Sequence, residues 1–366
     1  MFCRSPVAVH HATGVVFMAL TESFGELFAI LSAIDLFGSA KPNVGYPLPP
    51  KLADVTKVVA KGDKRIPRLF HDAYSAPLQD ALPKIIQDTD PANLDDLTQL
   101  ETLTGAVYQH GDQSVAPQLS RFLAVVSDLF RSFLSKKRRI AAGFPILETL
   151  PPLAMFQHSG DSGPFTLPCD AIQRMFGSTV GVVSLPAVYA PHPLLWGSLT
   201  HETCGHDVVH ADAGLLPELI SGVQAFFGGL PSGTSSPQST QLMALLWSYW
   251  MDEAVADIYG VLNMGPSFGF NLISLFTALN AQSQPKKSRK PVLRNFSGFD
   301  PRNPAKRMDE HPTDLLRPYL VMGAIQAMQS LPQAARNQYS NDLDALAQLC
   351  SPGVTNISLA GVIELG

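Results

Sequence analysis

Three histidines and two acidic residues, in two separate segments, constrain this 366-residue chain more than any other feature. His201, His206 and His210 lie within ten residues of one another, and Glu253 and Asp257 follow four residues apart in a later segment. On a helix that second spacing places both carboxylates on one face. Imidazole nitrogens and carboxylate oxygens are the usual ligands of zinc, and a catalytic site needs three of them plus one open position. The two segments therefore contain the components of a metal-dependent hydrolase.

The histidines can supply a ligand pair in two ways. His206 and His210 are four residues apart, as in the His-Glu-x-x-His zinc helix. His201 and His206 are five residues apart, which corresponds to roughly 140° on a regular helix, too far apart to share a metal. A single π-helical turn, with its i→i+5 hydrogen bond, would bring this second pair together. Gly205 stands where the backbone would have to distort. Both pairs remain open, with His210 as the alternative ligand.

The two possible pairs differ in the acidic residue that follows their first histidine. This difference favours the pair of His201 and His206. Glu202 follows His201, whereas Asp207 follows His206. A general base must reach the attacking water from the ligand helix, and an aspartate side chain is one methylene shorter than a glutamate. A misplacement of about 1 Å can cost roughly a hundredfold in rate. The pair with the glutamate therefore offers the better base.

Both segments match motifs of a known peptidase family. Residues 201–206, His-Glu-Thr-Cys-Gly-His, and residues 252–257, Asp-Glu-Ala-Val-Ala-Asp, resemble the paired motifs of the dipeptidyl-peptidase III metallopeptidases. That family carries His-Glu-x-x-Gly-His and then Glu-Glu-x-x-Ala-Glu/Asp, so Asp252 departs from the pattern. The later segment also looks like the third-ligand helix of thermolysin-like peptidases. The wider glutamate-zincin superfamily (gluzincins) is therefore the label we use, and we carry over its metal chemistry only.

The resemblance implies a role for each matching residue. It implies Zn²⁺ as cofactor, with His201, His206 and Glu253 as ligands and Glu202 as the general base. Asp257 and Asp207 are expected to lie next to the ligands. A carboxylate in that position orients a metal-bound histidine by interacting with its other ring nitrogen.

Two further regions are expected to contribute to substrate binding and catalysis. Residues 181–189 predict a strand leading to the metal helix, and Pro186 favours an edge position, where an extended peptide could pair. Tyr189, at the end of that strand, is a candidate substrate-binding residue. Zincins commonly hold a downstream histidine or tyrosine that stabilises the oxyanion. His311 is the candidate for that role, and Arg317 is a candidate anchor for a substrate carboxylate.

The function expected from these residues is zinc-dependent hydrolysis of peptide bonds in a peptide or protein substrate. Two alternatives stay open because the sequence defines no specificity pocket. One is a catalytically silent zincin-fold protein that binds metal and interacts with other proteins. The other is a metal hydrolase that acts on a non-peptide amide.

Composition limits the kinds of partner that the protein is expected to bind and the compartment in which it is expected to work. The net charge of −5 argues against nucleic-acid binding. The apolar segment 13–38 contains three acidic residues, which are costly inside a bilayer, so we expect a buried or amphipathic helix there and no membrane association. The four cysteines have no Cys-x-x-Cys spacing, which favours small buried thiols in a reducing, cytoplasmic compartment.

The predicted fold class is α+β and mostly helical. Helical spacing dominates residues 54–139, and a β-like pattern begins at residue 144. We therefore predict an N-terminal helical region at residues 1–142. A zincin-like catalytic domain at residues 143–366 is expected to carry a small mixed sheet, with an edge strand beside the metal helix.

Overall fold

The computed structural model describes residues 6–36, 51–134, 150–157, 163–231, 236–297, 309–354 and 358–359. Its longer helices are Pro6–Ala33 (α1), Val55–Asp63 (α2), Ala76–Asp88 (α3), Leu94–Tyr108 (α4), Ala116–Leu134 (α5), Cys169–Phe176 (α6), Val208–Ala211 (α7), Leu215–Gly228 (α8), Pro237–Tyr249 (α9), Met251–Met264 (α10), Ser267–Gln282 (α11), Leu316–Ala327 (α12) and Gln333–Leu349 (α13). The strands are Leu153–Gln157 (β1), Phe165–Leu167 (β2), Val182–Pro186 (β3), Phe296–Ser297 (β4) and Ser358–Leu359 (β5). The predicted mostly helical fold with a small mixed sheet is confirmed.

The chain divides into two compact units. Unit 1 comprises Met1–Leu36 and Met264–Gly366, and unit 2 comprises Phe37–Asn263. The predicted boundary between residues 142 and 143 lies outside the described residues and stays a prediction. Both motifs of the candidate metal site belong to unit 2.

Unit 2 contains a three-stranded sheet in the order β1-β3-β2. β1 runs parallel to β3, and β2 runs antiparallel to it. The prediction that Pro186 marks an edge strand is therefore wrong, because β3 is the central strand. Pro186 is tolerated because β2 pairs only as far as Ser184, so the missing N–H of Pro186 lies beyond the end of that ladder. The edge strand nearest the metal motif is β2.

The core of unit 2 lies on one face of this sheet. Side chains from α2, α3 and α4 pack there against Leu153, Met155 and Val182. On the other face, Phe122 of α5 packs against Phe156, with ring centroids 5.2 Å apart. Residues alternate between the two faces of a strand, so β1 and β3 are covered on both sides, and their side chains are buried throughout. Helix α5 and strand β2 contact the segment that carries the histidines.

Unit 1 is built around α1 and α11, which pack against each other. Gln282, the last residue of α11, donates a hydrogen bond to the carbonyl of Ile34 and accepts one from the N–H of Leu36. The predicted helix in segment 13–38 is confirmed as part of α1. Among the described residues, no helix is both long enough and apolar enough to cross a bilayer.

The cysteines at 169, 204 and 350 are buried free thiols, as expected, and burial raises the pKa of each. The residues that precede and carry Glu253 form two helices, α9 and α10. The break falls at the fully buried Trp250, whose backbone leaves helical geometry with φ −85° and ψ 6°.

Candidate metal centre

The histidine motif adopts a π-helix. Residues Thr200–Asp207 form this π-helix and continue directly into α7; we call the combined segment the histidine helix. The predicted π-helical turn is confirmed. It brings His201 and His206 together with ring centroids 4.9 Å apart and their Nε2 atoms 3.2 Å apart. A regular α-helix would point the two rings in different directions.

Glu253 of α10 completes a cluster of three potential metal ligands. Its Oε2 lies 3.2 Å from Nε2 of His201, and its Oε1 lies 3.4 Å from Nε2 of His206. One ligand atom from each residue falls within 4.8 Å of the others. Zinc with bond lengths of about 2.0–2.1 Å in a tetrahedron separates neighbouring ligand atoms by about 3.3 Å. The separation of the two histidine nitrogens matches that geometry, and two imidazoles with one carboxylate could hold a divalent metal ion.

A carboxylate faces the outer nitrogen of each histidine. Asp257 Oδ1 lies 3.1 Å from Nδ1 of His201, and Asp252 Oδ1 lies 3.3 Å from Nδ1 of His206. These contacts leave both Nε2 atoms directed at the cluster. Burial opposes a charge on His201, but its contacts with Asp257 and Glu253 outweigh burial and raise the pKa of His201 to about 10. The surroundings of the cluster therefore favour positive charge at its centre.

Glu202 is held by the edge strand. Its side chain is buried, with 5% of the residue exposed. The hydroxyl of Thr166 in β2 lies 2.9 Å from Oε2 of Glu202 and 3.0 Å from its main-chain oxygen. The strand beside the histidine helix therefore orients the carboxylate of the residue that follows His201. Tyr189 is also fully buried. Burial, with a smaller contribution from the charge of Glu202, raises the pKa of Tyr189, whose predicted role in substrate binding stays a prediction.

Asp207 and His210 have partners outside the cluster. The carboxylate of Asp207 accepts a hydrogen bond from the N–H of Cys169, at the start of α6, at 3.0 Å. Burial raises the pKa of Asp207 to about 7. His210 lies between Asp170 and Asp252, at 3.1 and 3.2 Å. Of the two possible histidine pairs, it is thus His201 and His206 that converge in the cluster of three. Asp207 interacts with α6 instead.

Gly205 allows the two motifs to touch. A Cβ atom built on Gly205 would lie 2.3 Å from both Cα and Cβ of Ala256 in α10. Gly205 lies within the π-helix, where the backbone was expected to distort, and its φ is not positive. The close approach of the two helices is a further reason for a glycine at this position.

His311 and Arg317 belong to unit 1. His311 is exposed, and its Nδ1 lies 2.9 Å from Oδ1 of Asp309. Arg317 is buried, and its guanidinium carbon lies 4.6 Å from the centroid of the Phe276 ring. Both residues have structural contacts within their own unit, and their expected roles in catalysis and substrate binding stay predictions.

The structure also reveals contacts that the sequence interpretation missed. Thr166 and Asp170 had not been singled out, because each meets the histidine helix only through tertiary packing. Asp252 was noted for its departure from the motif, and its position next to the predicted ligand Glu253 could have indicated a contact with a ligand histidine.

Comparisons of the chain with protein-family models, with curated proteins and with solved structures gave no match.

Proposed function

We propose that this chain is a zinc-dependent metallopeptidase with a zincin-like catalytic centre. The observation that carries the proposal is the convergence of His201, His206 and Glu253, each with one potential ligand atom within 4.8 Å of the others. Glu202, next to the first ligand in sequence and held by Thr166, supplies the base that hydrolysis requires. A hydrolytic zinc site needs such a donor set together with a carboxylate base on the ligand helix.

In this proposal each residue has a defined task. His201, His206 and Glu253 would hold zinc, which supplies Lewis-acid chemistry when bound. Glu202 takes the proton of the attacking water and transfers it to the leaving amine. Asp257 and Asp252 hold the two imidazoles with their Nδ1 atoms outward. Thr166 keeps the Glu202 carboxylate from turning away.

The first test combines metal analysis with a search for cleavage. We expect purified protein to bind one zinc ion per chain and to cleave members of a broad peptide library, with cleavage lost on chelation and restored by zinc. His201→Ala removes one ligand, so it should abolish stoichiometric zinc binding. Replacement of the solvent-accessible His192, which lies outside the cluster, by alanine should leave it intact.

The outcomes separate the proposal from its alternatives. Absence of zinc binding by the wild-type protein would refute the metal site itself. Zinc binding without cleavage of any peptide would refute the peptidase, and hydrolysis of small non-peptide amides by the same preparation would then identify the other hydrolase class. Zinc binding with neither activity would support a metal-binding interaction protein.

We further predict that Thr166→Val lowers kcat by about 10- to 100-fold. The substitution removes a hydrogen bond to an ionised group, which is worth about 1.5–3 kcal/mol, and about 1.4 kcal/mol corresponds to a factor of ten in rate. Thr166→Ser keeps the hydroxyl and should retain most of the activity. Steady-state kinetics on one cleaved peptide, with zinc content measured in parallel, provide the readout. A valine variant with unchanged kcat would show that Thr166 does not position Glu202.

A further inference from the structure

We propose that His210 is a positioning residue that sets the metal affinity of the site by holding Asp252 against His206. This inference rests on the proposed zinc site and extends it beyond the ligands. His210 is not part of the ligand cluster, although it lies on the same helix and its spacing from His206 matches a zinc motif.

A continuous chain of contacts leads from His206 to the protein surface. Oδ1 of Asp252 lies 3.3 Å from Nδ1 of His206, and Oδ2 of the same carboxylate lies 3.2 Å from Nε2 of His210. The other ring nitrogen of His210, Nδ1, lies 3.1 Å from Oδ1 of Asp170. Asp170 in turn accepts a hydrogen bond from the exposed Arg174 at 2.8 Å. Behind the ligand His206, four side chains from three helices thus form one series in which acidic and basic groups alternate.

Asp252 needs this support because it is the least buried carboxylate around the cluster. Its side chain is 37% exposed, whereas that of Glu253 is 11% exposed and that of Asp257 is fully buried. A carboxylate at the surface can rotate toward water and lose its contact with His206. His210, bound to the second oxygen of Asp252, restricts that rotation. The remaining ring nitrogen of His210 lies 3.1 Å from Asp170, which restricts rotation of the imidazole as well.

The charges along this series are mutually favourable. Burial opposes a charge on His210, but its contacts with Asp252 and Asp170 outweigh burial and raise the pKa of His210. The carboxylate of Asp252 lies between the two imidazoles, 3.3 Å from that of His206 and 3.2 Å from that of His210. A carboxylate that is fixed against Nδ1 makes His206 a better ligand, as carboxylates behind metal-bound histidines generally do.

Helix α6 contacts the histidine helix twice, which fits this role for His210. Asp170 on α6 holds His210, and the first N–H of α6, that of Cys169, is bound by Asp207. A short helix outside the two motifs is therefore tied to the segment that carries the ligands. Its role in this proposal is to fix the end of the series that begins at His206.

Zinc dissociation constants, measured by competition with a fluorescent chelator, test the proposal. We expect His210→Ala to weaken zinc binding by about 10-fold or more, within the 10- to 100-fold range for groups behind metal ligands. His210→Gln can still donate to Asp252 and should recover part of the loss. Asp252→Ala should weaken binding at least as much, and the double variant should be no weaker than Asp252→Ala alone, because His210 acts through Asp252.

His71 offers a matched control. It also lies between two aspartates, with Nδ1 2.9 Å from Asp72 and Nε2 3.5 Å from Asp63, but both lie outside the ligand cluster. His71→Ala should therefore bind zinc like the wild type. Thermal unfolding of the zinc-free variants identifies any that fail to fold, and Asp170→Asn, a milder change that acts through His210, then takes the place of His210→Ala with the same expected direction.

Two results would overturn the inference. One is an unchanged zinc dissociation constant in a folded His210→Ala variant. The other is a double variant whose loss of zinc-binding free energy equals the sum of the losses in the two single variants. That result would mean that His210 acts independently of Asp252. Both results can occur while wild-type protein binds zinc and cleaves peptides, so they are distinguishable from failure of the proposed function.

Discussion

Replacement of Glu202 by glutamine is expected to lower kcat for peptide hydrolysis by about 10²- to 10⁴-fold, with zinc content unchanged. The loss follows from removal of the group that accepts the proton of the attacking water, and general acid–base catalysis contributes about that factor. Glutamine has nearly the same shape and can still accept the hydrogen bond that Thr166 donates to Glu202. The site should therefore keep its geometry. Steady-state kinetics and metal analysis on the same preparation provide the measurement.

Glu218→Gln is the matched control for this variant. Glu218 is an exposed acidic residue in the first turn of α8, so the control makes the same chemical change away from the ligand cluster and should retain full activity. Retention of wild-type kcat by Glu202→Gln would show that Glu202 is not the base. Loss of zinc together with activity would show instead that Glu202 supports the metal site.

The choice of Glu202 over Asp207 illustrates what the sequence could and could not determine. The spacing of five residues between His201 and His206, with an adjacent glutamate, was enough to predict the π-helical turn, which is a local feature. The alternative pair remained open because an i,i+4 pair also suits a zinc helix. Only tertiary packing decides between them, since it brings Glu253 to His201 and His206 and gives Asp207 and His210 other partners.

The sheet shows the same limit. Residues 181–189 were correctly expected to contain a strand, but its position in the sheet depends on which other segments pair with it. β2 is only three residues long, too short to produce a recognisable alternation of polar and apolar residues. Without β2, Pro186 suggested an edge. With β2 present, β3 becomes central and the short strand carries Thr166, which contacts Glu202.

Gly205 and Ala256 explain why the two motifs depend on each other. Each is the small residue of its own motif, and in the structure they face each other where the histidine helix contacts α10. The ligands His201 and His206 lie on one of these helices and Glu253 lies on the other. The distance between the helices therefore determines whether the three ligand atoms can share one ion.

The second large effect is accordingly expected from Gly205→Ala. The new Cβ would lie 2.3 Å from Cα and Cβ of Ala256, and because both belong to or adjoin the backbone, the helices must separate by about 1 Å to restore van der Waals contact. Overpacking of this kind costs about 1–3 kcal/mol of folding stability. A displacement of about 1 Å at a catalytic centre also lowers the rate by about a hundredfold, so zinc affinity and kcat should both fall.

Gly222→Ala separates this steric effect from the general effect of alanine in a helix. Gly222 lies within α8, and a Cβ atom added there would meet no heavy atom within 4 Å beyond the backbone of its own helix. Alanine at this position should therefore be neutral or stabilise the helix by up to about 1 kcal/mol. Thermal unfolding and zinc competition distinguish the two variants. Adding Ala256→Gly to Gly205→Ala removes one of the two clashing atoms and should restore part of the zinc affinity. If Gly205→Ala matches Gly222→Ala in stability and in zinc affinity, the close approach of the two motifs is not what holds the ligands together.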